Sequence, residues 1–284
     1  MKCFCVITNY TKDANAGTTD LIKNYIEQHG GMCYVQSNGV VDKSQRYKYT
    51  DASRIPPEVE GVLVLGGDGT LLQASRDLVG TGLPLLGINM GTLGYLAEIE
   101  HQNILPALDS LMADEYTIEE RMMLKGAAYH HSRKLMEDMA LNDIVIGRRG
   151  RLRVVDFNIY VDDVFLCSYR ADGFIVSTPT GSTGYSLSAG GPIVSPDASL
   201  MLLTAVAPHT LNSRSIILPD HVQVTVTLGG RPGGSDGAEA TFDGDTSVKL
   251  DAGGSITIGK SEQKTYLIKI NHTSFVENLR DKMK

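Results

Sequence analysis

The sequence predicts an α/β domain with a mostly parallel sheet, then an all-β domain, then a C-terminal helix that packs back on the first domain. Three patterns support this fold class. Strand-like and helix-like segments alternate over residues 1–118, which is typical of βαβ units. Short alternating apolar runs broken by turns dominate residues 119–270, which favours β-structure. Residues 271–284 form an amphipathic segment whose apolar face must be covered.

The elements of the first domain follow from apolar runs and their breakers. Residues 3–8, 32–36, 62–65 and 83–88 are predicted strands, and residues 18–29, 70–79 and 104–112 are predicted helices. Gly30 and Gly31 end the first helix. A polar stretch at residues 45–57 ends in two prolines and predicts a surface loop.

The second domain is predicted from alternation and turn residues. Asp162 and Asp163 join residues 154–161 to residues 164–167 as a hairpin. Further strands are predicted at residues 174–177, 221–228, 247–250, 255–258 and 266–270. The final helix carries a capping box, Ser274 with Glu277. Phe275, Leu279 and Met283 share its apolar face.

Composition excludes several classes of function. With 284 residues, 42% of them hydrophobic, the chain is long enough for two cores. A formal net charge of −7 argues against a nucleic-acid partner. No apolar stretch reaches the ~20 residues of a membrane span, so no membrane partner is predicted. The four cysteines form no Cys-x-x-Cys pair, which predicts reduced thiols in a cytoplasmic protein.

The strongest functional signal is the turn Gly66, Gly67, Asp68, Gly69, Thr70. It exposes backbone N–H groups at the positive end of a helix, which suits a phosphate. A carboxylate ~4 Å from one phosphate charge costs roughly 4 kcal/mol at an effective dielectric of ~20. We therefore interpret Asp68 as linked to a metal, or as the acceptor of a proton from a hydroxyl being phosphorylated. The alternative is a glycine-rich turn with Asp68 as a solvated helix cap.

Two common phosphate loops do not match this turn. A P-loop needs a lysine directly after its glycines, and none follows here. A dinucleotide fingerprint needs a third glycine where Leu72 stands. Because few basic residues accompany the turn in sequence, Mg²⁺ is predicted to neutralise much of the phosphate charge.

A second signal lies in residues 170–196, where a predicted strand leads into a block rich in hydroxyls and glycines. Short hydroxyl side chains can hydrogen-bond a ribose or a base edge, and Tyr185 can stack on a ring. The alternative is a Ser/Gly-rich surface loop. Apolar residues on both flanks argue against a flexible linker.

The successive motifs resemble those of the NAD kinases, in the same order and over essentially the whole chain. They are residues 66–70, 87–96, 120–124, 141–143 and 178–185, then 207–209, Arg214 and 243–244. The glycine turn alone is shared with diacylglycerol, sphingosine and phosphofructokinase-type kinases. The hydroxyl-rich block and the Gly-Ile-Asn segment narrow the resemblance.

The resemblance implies Mg²⁺-dependent transfer of the γ-phosphoryl group of ATP, or a phosphoryl group of polyphosphate, to the adenosine 2′-hydroxyl of NAD. It implies Asp68 as the base or metal-linked group, with Gly66, Gly67, Gly69 and Thr70 shaping the phosphate turn. No side chain is implied as a dedicated metal ligand. A homodimer or homotetramer is also implied.

Seven residues are implied to bind NAD, with the all-β domain contributing this site. Asn142 and Asp143 would bind ribose hydroxyls. Arg170 would contact the new 2′-phosphate, in its own or a neighbouring subunit, and Asp172 would lie at the nicotinamide end. Thr183 and Ser188 would contact polar groups on the adenine or nicotinamide side. Tyr185 would pack on a ring.

Two other functions stay open at this point. One is a lipid kinase with the same glycine turn, acting on a diacylglycerol-like or sphingoid alcohol; the polar hydroxyl-rich block suits a nucleotide better. The other is a catalytically silent NAD sensor. Asp68 argues against a sensor, because its negative charge would repel the phosphates of NAD and weaken a site that only binds.

Overall fold

The computed structural model describes residues 1–8, 12–13, 16–36, 50–91, 94–150, 154–210, 213–229, 237–270 and 274–282. These residues form two compact units, Met1–Glu120 with Lys264–Lys284, and Arg121–Gln263. Residues 264–270, which the sequence assigns to the second domain, belong to the first unit. No helix in the described ranges has the length and apolar character needed to cross a bilayer.

The first unit contains β1 (Cys3–Thr8), α1 (Gly17–Gln28), β2 (Met32–Gln36), β3 (Gly61–Gly66), α2 (Asp68–Asp77), β4 (Leu85–Asn89), β5 (Ile99–Glu100) and α3 (Ile104–Met112). The next strands are β6 (Thr117–His130), β7 (Arg133–Ala140), β8 (Asp143–Arg148), β9 (Val155–Val161), β10 (Val164–Ala171) and β11 (Gly173–Ser177), followed by helix α4 (Tyr185–Ser188). The chain ends with β12 (Leu200–Val206), β13 (Ile216–Pro219), β14 (Val224–Gly229), β15 (Ala238–Phe242), β16 (Thr246–Leu250), β17 (Gly254–Lys269) and α5 (Phe275–Lys282).

The sheet of the first unit is parallel, with its strands in the order β4-β3-β1-β2. Leu267 of β17 pairs with Leu85 on the outer side of β4. Strand β1 therefore lies between β2 and β3, so the β1-to-β2 and β3-to-β4 connections run in opposite directions. Such a reversal is the switch point at which open α/β sheets bind ligands, outside the carboxyl ends of the strands.

The two directions of crossover place helices on both faces of this sheet. Ile22 of α1 and Leu108 of α3 pack with Phe4 and Leu63 in one buried cluster. Helix α2 covers the opposite face, where its Leu71 approaches Gly87 of β4. The predicted α/β domain is confirmed.

The second unit is built from antiparallel strands. One set runs in the order β10-β9-β14-β17, and the other in the order β13-β12-β11-β8-β15-β16. Side chains from both sets, among them Phe157, Phe174 and Phe242, fill one buried core. Asp162 and Asp163 adopt positive φ values of 47° and 63° in the β9–β10 turn, which confirms the predicted hairpin.

Several predicted element limits are wrong, and the strand predicted at residues 221–228 begins at Val224. Helix α2 begins at Asp68 rather than Thr70, so the aspartate belongs to its first turn. The two strands predicted at residues 255–258 and 266–270 are one strand, β17. Its middle segment is polar, yet Ser261 and Thr265 are buried, so apolar alternation alone does not reveal the continuity.

The predicted C-terminal helix and its capping box are confirmed. Ser274 N–H donates to Glu277 Oε2 at 2.7 Å, and Glu277 N–H donates to Ser274 Oγ at 3.3 Å. Lys282 Nζ lies 4.2 Å from the ring centre of Tyr95, so α5 packs on the first unit as predicted. Met283 lies outside the described residues.

Candidate active site

The glycine turn joins the carboxyl end of β3 to α2. Gly67 is the N-cap of α2 and has no side chain to cap it. A Cβ on Gly66 would lie 2.2 Å from Thr70 Oγ1, so only glycine fits there. A Cβ on Gly69 would meet nothing within 4 Å. Thr70 and Leu71 N–H donate to Gly67 O at 2.9 and 3.1 Å, so the N–H groups of Asp68 and Gly69 precede the first of these hydrogen bonds and are the ones that could bind a phosphate.

The Asp68 carboxylate accepts three backbone hydrogen bonds from the segment that follows β4. Its Oδ2 accepts from Tyr95 N–H at 2.7 Å, and its Oδ1 accepts from Leu96 and Ala97 N–H at 3.1 and 3.2 Å. A Cβ on Gly94 would lie 1.9 Å from Asp68 Oδ1, so this approach requires a glycine.

These contacts leave Asp68 some acceptor capacity. An ionised carboxylate offers about four lone-pair sites. The three N–H groups occupy both sites on Oδ1 and one on Oδ2. The remaining site on Oδ2 can accept from a ligand hydroxyl or water. Asp68 is therefore not a solvated helix cap.

In the second unit, Asp243 organises the start of β8. It lies in the turn after β15 with a positive φ of 49°. Its Oδ2 accepts from Leu141 N–H at 2.7 Å, and its Oδ1 accepts from Asn142 and Asp143 N–H at 2.8 and 3.1 Å. This second carboxylate, absent from the predicted site residues, fixes the backbone of two predicted NAD ligands.

Asp143 is a buried carboxyl group whose pKa is raised to about 7. Burial is the largest cause, because it disfavours the charged form. The negative charge of Asp243 raises the pKa further, and a hydrogen bond from the backbone N–H of Tyr185 opposes both effects. Near neutral pH, Asp143 can therefore donate or accept a hydrogen bond.

Asn142 presents an unsatisfied acceptor. Its Oδ1 is buried and has no hydrogen-bond partner among the described residues. Leaving such a group unpaired costs about 1–3 kcal/mol, so native proteins rarely do so without a reason. A ligand hydroxyl or amino group would satisfy this oxygen, which supports the predicted role of Asn142.

The hydroxyl-rich block after β11 is tied to this region. Thr178 Oγ1 donates to Leu141 O at 2.6 Å and accepts from Gly181 N–H at 3.0 Å. A Cβ on Gly181 would lie 2.1 Å from Asn142 O, so the two segments are in close contact. At least one hydroxyl of the block therefore holds the fold instead of facing a ligand.

The remaining predicted NAD residues separate into two groups. Tyr185 opens α4 with 46% of its side chain exposed, which leaves its ring free to stack on a ligand, and Ser188 ends the same helix. Thr183 Oγ1 donates to Thr180 O at 3.3 Å. Arg170 and Asp172 instead form ion pairs, with Asp156 at 3.1 Å and with Arg148 at 2.9 Å respectively.

The structure thus brings Asn142, Asp143 and Tyr185 together, while Arg170 and Asp172 contact other partners. Asp243 was missed as a site residue, although its Asp-Gly turn is visible in the sequence. Its position opposite Asp143 follows from the pairing of β15 with β8, where Phe242 faces Ile144.

Comparisons with known proteins identify the family. The model of the ATP-NAD kinase N-terminal domain matches residues 8–116, and that of the C-terminal domain matches residues 141–270. The chain is 43% identical to the NAD kinase of Lachnospira eligens, with 100% of both chains covered. The NAD kinase of Agathobacter rectalis is also 43% identical, over 100% of this chain and 99% of that one. The chain belongs to the ATP-NAD kinase family.

Solved structures agree with this assignment. An NAD kinase from Archaeoglobus fulgidus in complex with ATP aligns with a TM-score of 0.78 and 26% identity, over 99% of this chain and 98% of that one. Yeast NADH kinase complexed with NADH shares the fold, with a TM-score of 0.83 and 21% identity, over 100% of this chain and 87% of that one. Membership makes the chain a kinase, and the lipid kinase and the silent sensor are not favoured.

Proposed function

We propose that this family member transfers the γ-phosphoryl group of ATP, or a phosphoryl group of polyphosphate, to the adenosine 2′-hydroxyl of NAD. The observation that carries the proposal is Asp68 beside the open glycine turn, with one acceptor site left on Oδ2. The two family models and the NAD kinase relatives support the same reaction.

In this mechanism, Asp68 accepts the hydrogen bond of the 2′-hydroxyl and takes its proton as the bond to phosphorus forms. A positioned carboxylate contributes typically ~10²–10⁴-fold to such a step. The backbone N–H groups after Gly67 hold the phosphates, because phosphoryl transfer depends mainly on alignment and charge stabilisation. The three N–H groups on Asp68 fix its direction.

NAD binding is assigned to the second unit. The unpaired Oδ1 of Asn142 accepts from a ribose hydroxyl or an amino group, and Asp143 bonds the ribose. Tyr185 stacks on a ring, with Thr183 and Ser188 at nearby polar groups. Arg170 at the 2′-phosphate and Asp172 at the nicotinamide end complete the proposal, and each would exchange its present ion pair for the ligand.

Mg²⁺ is proposed to arrive with the donor. No cluster of three or more carboxylate, histidine or cysteine side chains that could hold a metal occurs within the described residues. In proteins, Mg²⁺ commonly binds through substrate phosphates, waters and one or two carboxylates. When bound, Mg²⁺ supplies positive charge to the phosphates, with Asp68 as the adjacent carboxylate.

We also propose a homodimer or homotetramer. Strand β10 lies at the edge of its sheet, and Val164, Phe165 and Leu166 expose 70%, 55% and 40% of their surfaces. An exposed apolar edge strand is a natural site for pairing with another chain. A second copy covering this edge would remove the apolar surface from water.

A cytoplasmic location is part of the proposal. All four cysteines are free thiols. Burial raises the pKa of Cys5 to about 11 and that of Cys33 to about 12, so neither forms a thiolate readily at neutral pH. Unpaired, unreactive thiols are typical of a reducing compartment.

The decisive experiment is NADP⁺ formation from NAD⁺, ATP and Mg²⁺ by the wild type and by Asp68→Asn. We expect kcat to fall at least about 100-fold in the variant, because an amide cannot take the proton. Asp20→Asn, an exposed change in α1, is the matched control and should keep full activity. The NAD dissociation constant and the unfolding temperature of each variant separate loss of chemistry from loss of structure.

Equal rates for wild type and Asp68→Asn would remove Asp68 as the base. A folded, NAD-binding wild type that forms no NADP⁺ with ATP or with polyphosphate would refute the proposed function.

A further inference from the structure

The switch point of the first unit brings together two loops that are distant in sequence. Strands β1 and β3 are parallel neighbours, and Thr8 at the end of β1 pairs with Leu65 near the end of β3. The carboxyl end of β1 therefore lies beside the Gly66–Gly67 turn. Ligands of open α/β sheets bind outside the carboxyl ends of strands at such a point.

The Lys12 ammonium lies directly against this turn. Its Nζ is 3.1 Å from the position that a Cβ on Gly67 would take, and 3.6 Å from that of a Cβ on Gly91. Two glycines at the ends of β3 and β4 thus leave room for one cation. Lys12 is exposed, and it forms no ion pair within the part of the chain that the structure describes.

A cavity adjoins the same place. It has a volume of about 590 Å³ and is lined by Asn89, Met90, Gly91, Glu100, His101 and Gln102. This volume falls within the roughly 300–1,000 Å³ of small-molecule sites. Gly91 contributes to the cavity wall and also faces Lys12.

A cation near the turn would offset the negative charges that meet there when a polyphosphate chain binds. A polyphosphate chain brings several negative charges to a region that already holds Asp68 and Glu100. The helix terminus offers only partial positive charge. Lys12 supplies a full charge and three N–H donors at the same position.

We propose that Lys12 binds the terminal phosphates of the phosphoryl donor over the Gly67 turn. The inference rests on the proposed function. It alters the expectation that a metal neutralises most of the phosphate charge there, since a basic group from the segment after β1 lies at the turn although none lies near it in sequence. The shared ligand chemistry is a polyphosphate chain, free or attached to adenosine.

The test measures donor binding in the full-length protein without NAD, so that no turnover occurs. Inorganic tripolyphosphate and ATP, each with Mg²⁺, are titrated into wild type, Lys12→Met and Lys12→Arg by calorimetry. Lys23→Met is the matched control, because Lys23 is a lysine of α1 with 44% of its side chain exposed. NAD affinity and unfolding temperature are measured for every variant.

We expect Lys12→Met to weaken binding of tripolyphosphate, and of ATP where ATP is the donor, about 10- to 100-fold, as for loss of a hydrogen bond to a charged group. Lys12→Arg should restore most of the affinity, and Lys23→Met should leave it unchanged. In turnover assays the loss should appear in KM for the donor, with the NAD dissociation constant unaltered.

Undiminished binding of both probes by Lys12→Met would overturn the inference, as would a wild type that binds neither probe. Weaker ATP binding with unchanged tripolyphosphate binding would also overturn it, because Lys12 would then contact the nucleoside. Weaker binding of NAD to the same extent as the donor would indicate a structural role and overturn it. A wild type that binds tripolyphosphate through Lys12 but makes no NADP⁺ would refute the proposed function alone.

Discussion

Asp68 in the first unit and Asp243 in the second are held by the same device. Each carboxylate accepts one backbone N–H on Oδ2 and two on Oδ1, from three consecutive residues of a distant segment. Their surroundings differ. Asp68 lies beside open space at a helix start, whereas Asp243 faces a second, buried carboxyl group, Asp143.

The same arrangement of three backbone N–H groups around a carboxylate therefore has two different chemical roles. At Asp68 the N–H groups set the direction of a carboxylate that keeps one acceptor site for the ligand hydroxyl proposed above. At Asp243 they hold a charge that adds to the effect of burial on its neighbour, and the two together raise the pKa of Asp143 to about 7. The groups that surround each carboxylate determine which of the two roles it has.

The largest expected effect is on the pH dependence of stability through Asp143. The pKa of its carboxyl is about 7 in the folded protein and about 3.9 in an unfolded chain. Between these values the folded state binds more protons, so the free energy of unfolding falls as pH rises. Asp143→Asn should remove this loss and exceed wild-type stability by up to about 4 kcal/mol at pH 8, but not at pH 4.

Urea unfolding of both proteins between pH 4 and pH 8 provides the measurement, with Asp20→Asn as the control for a lost exposed carboxylate. A constant difference across this range would show that folding does not raise the pKa of Asp143, contrary to the combined effect of burial and Asp243.

The next effect concerns the Asp243 anchor. Asp243→Asn tolerates the positive φ, but its amide nitrogen cannot accept the N–H of Leu141. At pH 5, where Asp143 is mostly protonated, we expect the free energy of unfolding to fall by about 2–3 kcal/mol, the cost of a buried donor left unpaired. Urea unfolding measures this.

Asp251→Asn disrupts only an exposed ion pair with Arg149 and is the control, with an expected change below about 1 kcal/mol. Equal losses in the two variants would mean that the three N–H contacts of Asp243 add nothing beyond a surface charge.

The smallest expected effect is that of a substitution at Gly69, next to Asp68 in the glycine turn. Gly69→Ala fits the helix and meets no atom within 4 Å, so stability should rise by up to about 1 kcal/mol. A methyl group in the space proposed for the donor phosphates should nevertheless raise KM for the donor. Gly17→Ala, at the open start of α1, is the control for the gain in stability without a change in KM. Unchanged donor kinetics in Gly69→Ala would place the phosphate elsewhere.

Much of the fold follows from sequence because its causes are local. Apolar periodicity and glycine breakers locate the helices and strands of the first unit, and the two aspartates of the β9–β10 turn identify the hairpin. The start of α2 was misplaced because glycines at residues 67 and 69 disguise a helical turn. Strand β17 was divided because its buried polar residues, Ser261 and Thr265, break the apolar pattern.

The site was less accessible to sequence reasoning because its contacts are long-range. Asp68 and the phosphate turn are visible as a motif, but the N–H groups of residues 95–97 reach the carboxylate only through the tertiary fold. Asp243 approaches Asp143 only once β15 pairs with β8. Lys12 reaches Gly67 only because β1 and β3 are neighbours in the sheet.

The return of the chain to its first unit has a consequence for biosynthesis. Leu267 pairs with Leu85, Ile270 N–H donates to Glu98 Oε1 at 2.7 Å, and Ile268 is buried in the core of the first unit. A ribosome adds about 5–20 residues per second. The nascent first unit must therefore wait on the order of ten seconds for its final strand, with one edge of its sheet uncovered. During that interval this edge is a natural target for chaperones.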